Sequence, residues 1–161
     1  AGVVSVANHN SEQQIVITGA PKAVAAVAEA AKGKGARAIP LKVSGAWHSD
    51  LIKGAEDEFG RFLSAFQFKP PTNTVIHNVT ADSCADPDTI RQLMARQLCS
   101  PVKWYDTIRR LLSENVNVFV EVGPGRVLTG LLKKIVPPDV DYAAYSVGNM
   151  KTLEALVSTL A

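Results

Sequence analysis

The pattern of apolar and polar positions begins with two short runs that read as β-strands. Valine- and isoleucine-rich residues occupy 2–8 and 13–18, and the polar link His9-Asn10-Ser11-Glu12 separates them. Such runs around a polar link predict two strands joined by a turn.

A helix and a third strand are predicted next. Pro21 suits a first helical position, the alanine-rich stretch 23–32 favours helix, and Gly33-Lys34-Gly35 predicts its end. The apolar stretch 38–43 predicts a strand. This β, β, α, β order is typical of about three-quarters of a small α+β sandwich, so we expect the chain to start inside a domain whose first helix and strand are missing.

From His48 onwards the pattern alternates between helical and extended segments. Residues 51–66 carry apolar side chains at helical spacing, Pro70-Pro71 predicts a stop, and Asp86-Pro87 predicts a capped helix start that Ser100-Pro101 repeats. In order, the predicted elements are a helix from after His48 to about Ala65, a strand over 74–78, helices over 87–99 and 102–115, a strand over 116–122, a helix over 126–135, a strand over 142–147 and a helix over 151–160. Strand, tight turn and helix in succession predict α/β layers with a parallel sheet.

Composition fits an ordinary globular protein. The chain has 161 residues, of which 47% are hydrophobic and 20% charged, and its net charge is only +2. No apolar run approaches the roughly 18 residues of a membrane span, and the start lacks the pattern of a signal peptide, so a cytoplasmic protein without membrane association is predicted. The small, dispersed charge excess gives no support for a nucleic-acid partner.

Metal and disulfide chemistry are not predicted. Cys84 and Cys99 are not in C-x-x-C spacing, and the three histidines are scattered. This leaves a disulfide framework or a zinc site with little support, and no metal is expected.

His48 is the best candidate for a reactive group. It lies in the run Val43-Ser44-Gly45-Ala46-Trp47-His48-Ser49, at the predicted start of a helix, where a general base could line a cleft. No serine of the chain lies in the G-x-S-x-G setting of a hydrolase nucleophile. Either His48 is structural, or its serine lies on polypeptide outside this sequence. The neighbouring Trp47 could shape a pocket or simply fill a core.

Other polar residues also have two interpretations. Gln97 lies near a predicted helix end, where an unpaired main-chain carbonyl could accept the Nδ1 proton of an imidazole. Asn10 and Asn78 end or follow strands, where asparagine often satisfies only its own turn. The turn Gly123-Pro124-Gly125 could cradle a phosphate, but it lacks the third glycine and the lysine of known phosphate loops, so simple turn geometry is favoured.

Taken together, these runs resemble the C-terminal part of malonyl-CoA:acyl carrier protein transacylases, the acyltransferase family of fatty acid and polyketide synthesis. The resemblance covers nearly the whole chain and is carried by five ordered motifs. They are Val6-Ala7-Asn8-His9-Asn10-Ser11 with Gln14-Ile15-Val16-Ile17-Thr18-Gly19, Leu41-Lys42-Val43-Ser44-Gly45-Ala46-Trp47-His48-Ser49, Ile76-His77-Asn78-Val79, Gln97-Leu98-Cys99-Ser100-Pro101-Val102-Lys103-Trp104, and Glu121-Val122-Gly123-Pro124-Gly125-Arg126-Val127-Leu128-Thr129-Gly130-Leu131.

The resemblance implies a fold and a set of site residues. Residues 1–43 would be part of a ferredoxin-like small subdomain, and 44–161 the C-terminal part of an α/β-hydrolase-like large subdomain. His48 would be the catalytic histidine, oriented by the main-chain carbonyl of Gln97 and neighboured by Asn78. Trp47, where malonyl-using members usually carry phenylalanine, and Asn10 would lie at the substrate pocket, and the bulk of Trp47 would favour malonyl over methylmalonyl groups.

The implied activity is ping-pong transfer of malonyl from coenzyme A to the phosphopantetheine thiol of acyl carrier protein, with no cofactor of its own. The family's nucleophilic serine, oxyanion glutamine and carboxylate-binding arginine would lie in a missing N-terminal half, so this chain alone is expected to be inactive and prone to associate. Two alternatives stay open. One is a non-catalytic module that binds the carrier protein through Arg109, Arg110, Lys133 and Lys134, and the other is a nucleotide-binding α/β domain that uses the turn 123–125.

Overall fold

The computed structural model describes residues 2–160, which fall into two compact units. The first unit ends at Trp104 and the second starts at Tyr105. The mixed α/β class expected from the sequence is confirmed. The predicted division between residues 43 and 44 is not where the compact units separate, and the assignment of subdomains stays a prediction.

The first unit opens with an antiparallel hairpin. Strand β1 (Val4–Ser11) pairs with β2 (Gln14–Gly19), so the strand runs three residues into the predicted polar link. The hairpin base requires glycine at position 19, which has φ +144°, and a Cβ there would lie 2.2 Å from the carbonyl oxygen of Val3. Helix α1 (Pro21–Gly33) follows, starts at its proline as predicted, and contacts β2.

The strand predicted over 38–43 is wrong. This segment is irregular in the structure, and the side chains of Ile39, Leu41 and Val43 are all more than half exposed. Pro40 in its middle has no N–H to donate to a ladder, and no described strand lies alongside it. Local β propensity without a pairing partner does not make a strand.

Two packed helices and a short two-stranded sheet follow in the first unit. A 3-10 turn (Asp50–Ile52) leads into α2 (Lys53–Leu63), which packs on α3 (Pro87–Arg96). Between them, the strand predicted over 74–78 is reduced to β3 (Ile76–His77), which pairs only with β4 (Asp82–Ser83). The carboxylate of Asp86 caps α3 by accepting from the Thr89 N–H at 2.8 Å, as the Asp-Pro signal predicts.

The Ser100-Pro101 pair does not begin a helix. Helix α4 (Trp104–Ser113) starts later than predicted because Val102 is already paired with β1. The N–H of Val102 donates to the Ala7 carbonyl at 2.8 Å, and its carbonyl accepts from the His9 N–H at 2.9 Å. A long-range bridge therefore replaces the local helix-start signal.

The second unit contains nearly all of α4, followed by a β-α-β-α arrangement. Strand β5 (Val118–Val122) pairs in parallel with β6 (Ala143–Val147), and α5 (Val127–Leu132) contacts both strands. Helix α6 (Met150–Leu160) packs on β6. The predicted parallel sheet is confirmed, although α5 is shorter than the predicted span 126–135. Among residues 2–160, every helix is too short or too polar to span a membrane.

Candidate active site

His48 occupies a strained turn. Its φ of 63° lies in the left-handed region, which costs a non-glycine residue about 1–3 kcal/mol and recurs at functional sites. The turn is fixed by the buried Ser49, whose hydroxyl donates to the Ala46 carbonyl at 2.7 Å and accepts from the Leu51 N–H at 3.4 Å. The N–H of His48 donates to the Leu98 carbonyl at 2.9 Å. Sequence reasoning missed both the strain and the role of Ser49.

The imidazole of His48 is held on one side only. Its Nδ1 lies 3.1 Å from the carbonyl oxygen of Gln97 and 2.9 Å from that of Ser100. Carbonyl oxygens can only accept, so Nδ1 must carry the hydrogen and Nε2 must present its lone pair. No group among residues 2–160 forms a hydrogen bond with Nε2. The half-buried ring thus has one nitrogen held by main-chain carbonyls and the other without a hydrogen-bond partner among the described residues, and its predicted role as a base stays a prediction.

The two carbonyls are available because α3 ends just before them. The helix finishes at Arg96, and the carbonyls that follow have no further helical turn to accept from. Gln97 was predicted in this place, whereas Ser100 was missed. A signal existed, because a residue before proline avoids the helical conformation and turns its carbonyl away from the preceding turn.

Gln97 and Asn78 share a cavity of about 320 Å³. Its other lining residues, mostly apolar, are Phe59, Ile76, His77, Leu93, Met94 and Leu98. The main-chain carbonyl of Asn78 accepts from the Lys103 N–H at 3.2 Å, which ties β3 to the residues that follow Ser100. His48 is not among the residues that line this cavity, so the cavity by itself does not define a substrate site for the candidate base.

Trp47 and Asn10 do not line this cavity. The ring of Trp47 is 51% exposed and lies over Gly45, where an added Cβ would come within 3.2 Å of the indole. Asn10 lies at an irregularity in β1, between the paired residues His9 and Ser11. Their predicted roles in the substrate pocket stay predictions.

The Gly123–Gly125 turn is not arranged for a phosphate. The carboxylate of Glu121 accepts from the N–H groups of Leu128 (3.1 Å) and Thr129 (2.7 Å), and from the Thr129 hydroxyl at 2.6 Å. These hydrogen bonds, led by the one from the Thr129 hydroxyl, hold the pKa of Glu121 below its ordinary value. The N–H groups that a phosphate would need at the start of α5 are already used.

The remaining predicted groups are the basic residues and the candidate metal ligands, and one of the basic residues, Lys133, lines a cavity of about 340 Å³. The guanidinium of Arg110 on α4 donates to Glu114, the residue just after that helix, at 2.8 Å, so part of the basic group 109–110 is paired locally. Within the part of the chain that the structure describes, histidine, cysteine and carboxylate side chains nowhere gather in a cluster that could hold a metal ion.

The sequence matches the family model of the acyl transferase domain over residues 2–158, and the chain belongs to that family. Two curated relatives are the malonyl CoA-acyl carrier protein transacylases of Bacillus subtilis (40% identical, 98% of this chain and 49% of that protein) and Haemophilus influenzae (41% identical, 96% and 49%). The chain thus spans about half the length of the curated relatives it matches.

Solved structures agree with this assignment. An acyl carrier protein S-malonyltransferase from Vibrio cholerae superposes with a TM-score of 0.91 at 38% identity, covering 97% of this chain and 50% of that one. A malonyl-transacylase solved in complex with its type II PKS acyl-carrier protein superposes with a TM-score of 0.91 at 36% identity, covering 98% and 50%.

Proposed function

We propose that this chain supplies the general base of an enzyme that transfers malonyl from coenzyme A to the phosphopantetheine thiol of acyl carrier protein. The observation that carries the proposal is the pair of carbonyl contacts on His48 Nδ1, which leaves Nε2 as the proton acceptor. In a triad an aspartate performs this orienting task, and here two main-chain carbonyls take its place.

The proposed reaction has two half-reactions with the same base. Nε2 of His48 removes the proton of a serine hydroxyl as its oxygen attacks the malonyl thioester, and the protonated imidazole then gives that proton to the departing thiol of coenzyme A. The thiol of the carrier protein next loses its proton to Nε2 and attacks the malonyl-serine ester. Collapse of that intermediate returns the proton to the serine oxygen and restores the enzyme.

We further propose that the nucleophilic serine belongs to polypeptide outside these 161 residues. Ser49, the serine adjacent to His48, is 1% exposed and donates its hydroxyl hydrogen to Ala46, so it is unsuited to attack a substrate. The relatives are about twice as long. In addition, Val118, Val120 and Val122 expose one face of β5, although parallel sheets are normally covered on both faces.

The same proposal assigns the remaining predicted residues. Gln97 orients the base through its carbonyl, Asn78 lines the same cavity as Gln97, and Trp47 and Asn10 bound the acyl group in the complete enzyme. The division into a ferredoxin-like part over 1–43 and an α/β-hydrolase-like part over 44–161 belongs to this proposal, which the likeness to malonyltransferases of known structure supports.

A chimera tests the proposal. The half of the Bacillus subtilis relative that matches this chain is replaced by the 161 residues, and malonyl transfer from malonyl-CoA to acyl carrier protein is measured. We expect the chimera to be active, the isolated chain to be inactive, and His48→Ala to lower kcat/KM by a factor on the order of 10²–10⁴, the usual contribution of a general base.

His9→Ala is the matched control, since it removes a histidine from a strand of the same unit and should leave transfer nearly unchanged. An active chimera whose rate survives His48→Ala would refute the proposal.

The two alternatives receive no support from a particular observation. A phosphate site at 123–125 conflicts with the capping of α5 by Glu121. If the basic residues served only to bind a partner, the two carbonyl contacts on His48 Nδ1 would have no explanation.

A further inference from the structure

We propose that the open side of β3 and the adjoining cavity of about 320 Å³ receive an extended segment of the polypeptide that carries the nucleophilic serine. The segment pairs with β3 as an additional strand, places apolar side chains in the cavity and supplies a hydrogen-bond partner to His77. This inference rests on the proposed function and deepens it, because it names the surface on which that polypeptide docks.

Strand β3 is shorter than its sequence favours. The run 74–78 predicts a strand, yet only Ile76 and His77 are paired, and within residues 2–160 their strand partner is β4 alone. The main chain of Thr74 and Val75 forms no hydrogen bond with another described residue. A strand that is paired on one side leaves N–H and C=O groups on its other side, where a further strand can add. Such an addition lets β3 reach its predicted length.

His77 has a buried ring nitrogen that lacks a partner. Its Nε2 is shielded from solvent and forms no hydrogen bond with any described residue, whereas buried polar atoms in folded proteins are nearly always paired. His77 also lines the cavity, together with Asn78 and Gln97. An imidazole nitrogen either donates or accepts, so a main-chain group or a polar side chain of an occupant can supply the bond.

Apolar surface surrounds the polar groups of this cavity. Its walls include Phe59 of α2 and Met94 of α3, and the Met94 side chain is 37% exposed. Beside β3, Val75 is 42% exposed. The Phe59 ring stacks on the exposed Phe62 with 6.4 Å between ring centroids, so apolar surface continues along α2. A peptide strand suits this surface, because its side chains alternate in direction while its main chain supplies polar groups.

The occupant is identified by the size of the relatives and by the position of the cavity. The curated relatives are about twice as long as this chain, so their remaining half is large enough to contribute the strand. Gln97 lines the cavity, and its carbonyl oxygen lies 3.1 Å from His48 Nδ1. A segment docked in the cavity therefore lies beside the residue that orients the base, which is the part of the chain that the serine has to approach.

Hydrogen exchange measured by NMR tests this docking surface in the 161-residue chain and in the chimera with the Bacillus subtilis relative. Successive N–H groups of a strand point to opposite sides, so either Thr74 or Val75 directs its amide to the open side. We expect that amide to exchange at least about 100-fold more slowly in the chimera, because the added strand must open before exchange occurs. The amide of Asp139, in an exposed turn of the second unit, is the internal control and should be unchanged.

Variants of the lining residues show whether the slower exchange arises from this surface. In the chimera, Met94→Lys should reduce the protection at least about tenfold, because docking would bury an unpaired ammonium group. Gln92→Lys is the matched control, since Gln92 is exposed on the same helix and does not line the cavity. His77→Phe should reduce the protection about fivefold, the equivalent of one net hydrogen bond, whereas His77→Gln keeps a polar group and should retain most of it. Far-UV circular dichroism identifies a variant that unfolds, and if Met94→Lys does so, the two His77 variants decide the result.

The outcomes separate this inference from the proposed function. An active chimera in which neither amide slows refutes docking at β3 and leaves the proposed function intact. An inactive chimera with a slowed amide supports the docking and counts against the proposed function, and an inactive chimera without one counts against both. Two further results overturn the docking. One is protection that already exists in the chain alone and disappears on dilution, which identifies a second copy as the occupant, and the other is a small molecule that native mass spectrometry finds bound to the chain and that His77→Phe releases.

Discussion

Replacing Ser49 by alanine should destabilise the turn that carries His48. The Ser49 side chain is 1% exposed, its hydroxyl donates to the Ala46 carbonyl at 2.7 Å, and its oxygen accepts from the Leu51 N–H at 3.4 Å. Alanine keeps the volume of the Cβ but removes both hydrogen bonds. The turn before the 3-10 segment then loses its only side-chain cap among the described residues.

The magnitude follows from what is left unpaired. A fully buried carbonyl that loses its donor costs about 1–3 kcal/mol, so the part-buried Ala46 carbonyl should cost less than the upper end of that range, and a lost helix cap costs about 0.5–2 kcal/mol. The Leu51 contact is long, so it adds little. The two costs overlap because one oxygen makes both bonds, and we expect a loss of about 2 kcal/mol in the free energy of unfolding. With urea m-values of about 1–3 kcal/mol per molar, this lowers the unfolding midpoint by roughly 1 M.

Ser64→Ala is a close control for this measurement. The hydroxyl of Ser64 donates to the Arg61 carbonyl at 2.6 Å, with the same three-residue spacing, but this bond is exposed to solvent. Water can replace it, so the cost should stay within about 0.5 kcal/mol. Unfolding in urea is monitored by fluorescence or circular dichroism. Equal shifts of the unfolding midpoint in Ser49→Ala and Ser64→Ala would refute the argument that burial gives the Ser49 hydrogen bonds their larger contribution to stability.

Two further predictions concern the backbone and acid stability. Gly19→Ala should lower stability by at least about 1–3 kcal/mol, because its φ is +144° and its Cβ would meet the Val3 carbonyl. Gly54→Ala, inside α2 with open space around its Cβ, should instead raise stability by about 0.4–1 kcal/mol. A higher urea midpoint for Gly19→Ala would contradict the first prediction, and a lower one for Gly54→Ala the second. Because the folded pKa of Glu121 lies below its ordinary value of 4.5, its contribution to stability is present above that value and is lost as the pH falls through the folded pKa. Glu121→Gln should therefore make the urea midpoint fall less steeply below about pH 4.5. Glu154→Gln, on the exposed face of α6, is the control and should leave that fall unchanged. A steeper fall in Glu121→Gln would contradict the lowered pKa of Glu121.

Elements with a strong local signal could be predicted from the sequence. The alanine-rich α1 with its first proline, the Asp86 cap of α3 and the valine-rich β5 are present in the structure. Each depends on residues within one or two turns of itself, so a single stretch of sequence contains the necessary information.

The errors occur where distant residues compete with local preference. The segment 38–43 has β propensity but finds no strand to pair with among the described residues, and Val102 has a helix-start signal but pairs with Asn8. Pairing across nearly a hundred residues leaves no periodic trace in either segment. For the same reason, only the resemblance to a family could predict that a main-chain carbonyl in residues 97–100 contacts the imidazole of His48.

Two helix ends lie near predicted sites, the start of α5 beside the turn 123–125 and the end of α3 beside His48, and their hydrogen-bond partners differ. At the start of α5 the Glu121 carboxylate takes the N–H groups, so the positive end of that helix offers nothing to an anion. After the end of α3, the His48 imidazole is the one described side chain that hydrogen-bonds to the main-chain carbonyls of Gln97 and Ser100. The N–H groups at the start of α5 are thus paired with a carboxylate, whereas the carbonyls after the end of α3 are paired with an imidazole that lies in a strained turn. At His48 a left-handed backbone conformation coincides with two main-chain carbonyls that accept from the ring, which is the arrangement that the proposed base would need for proton transfer.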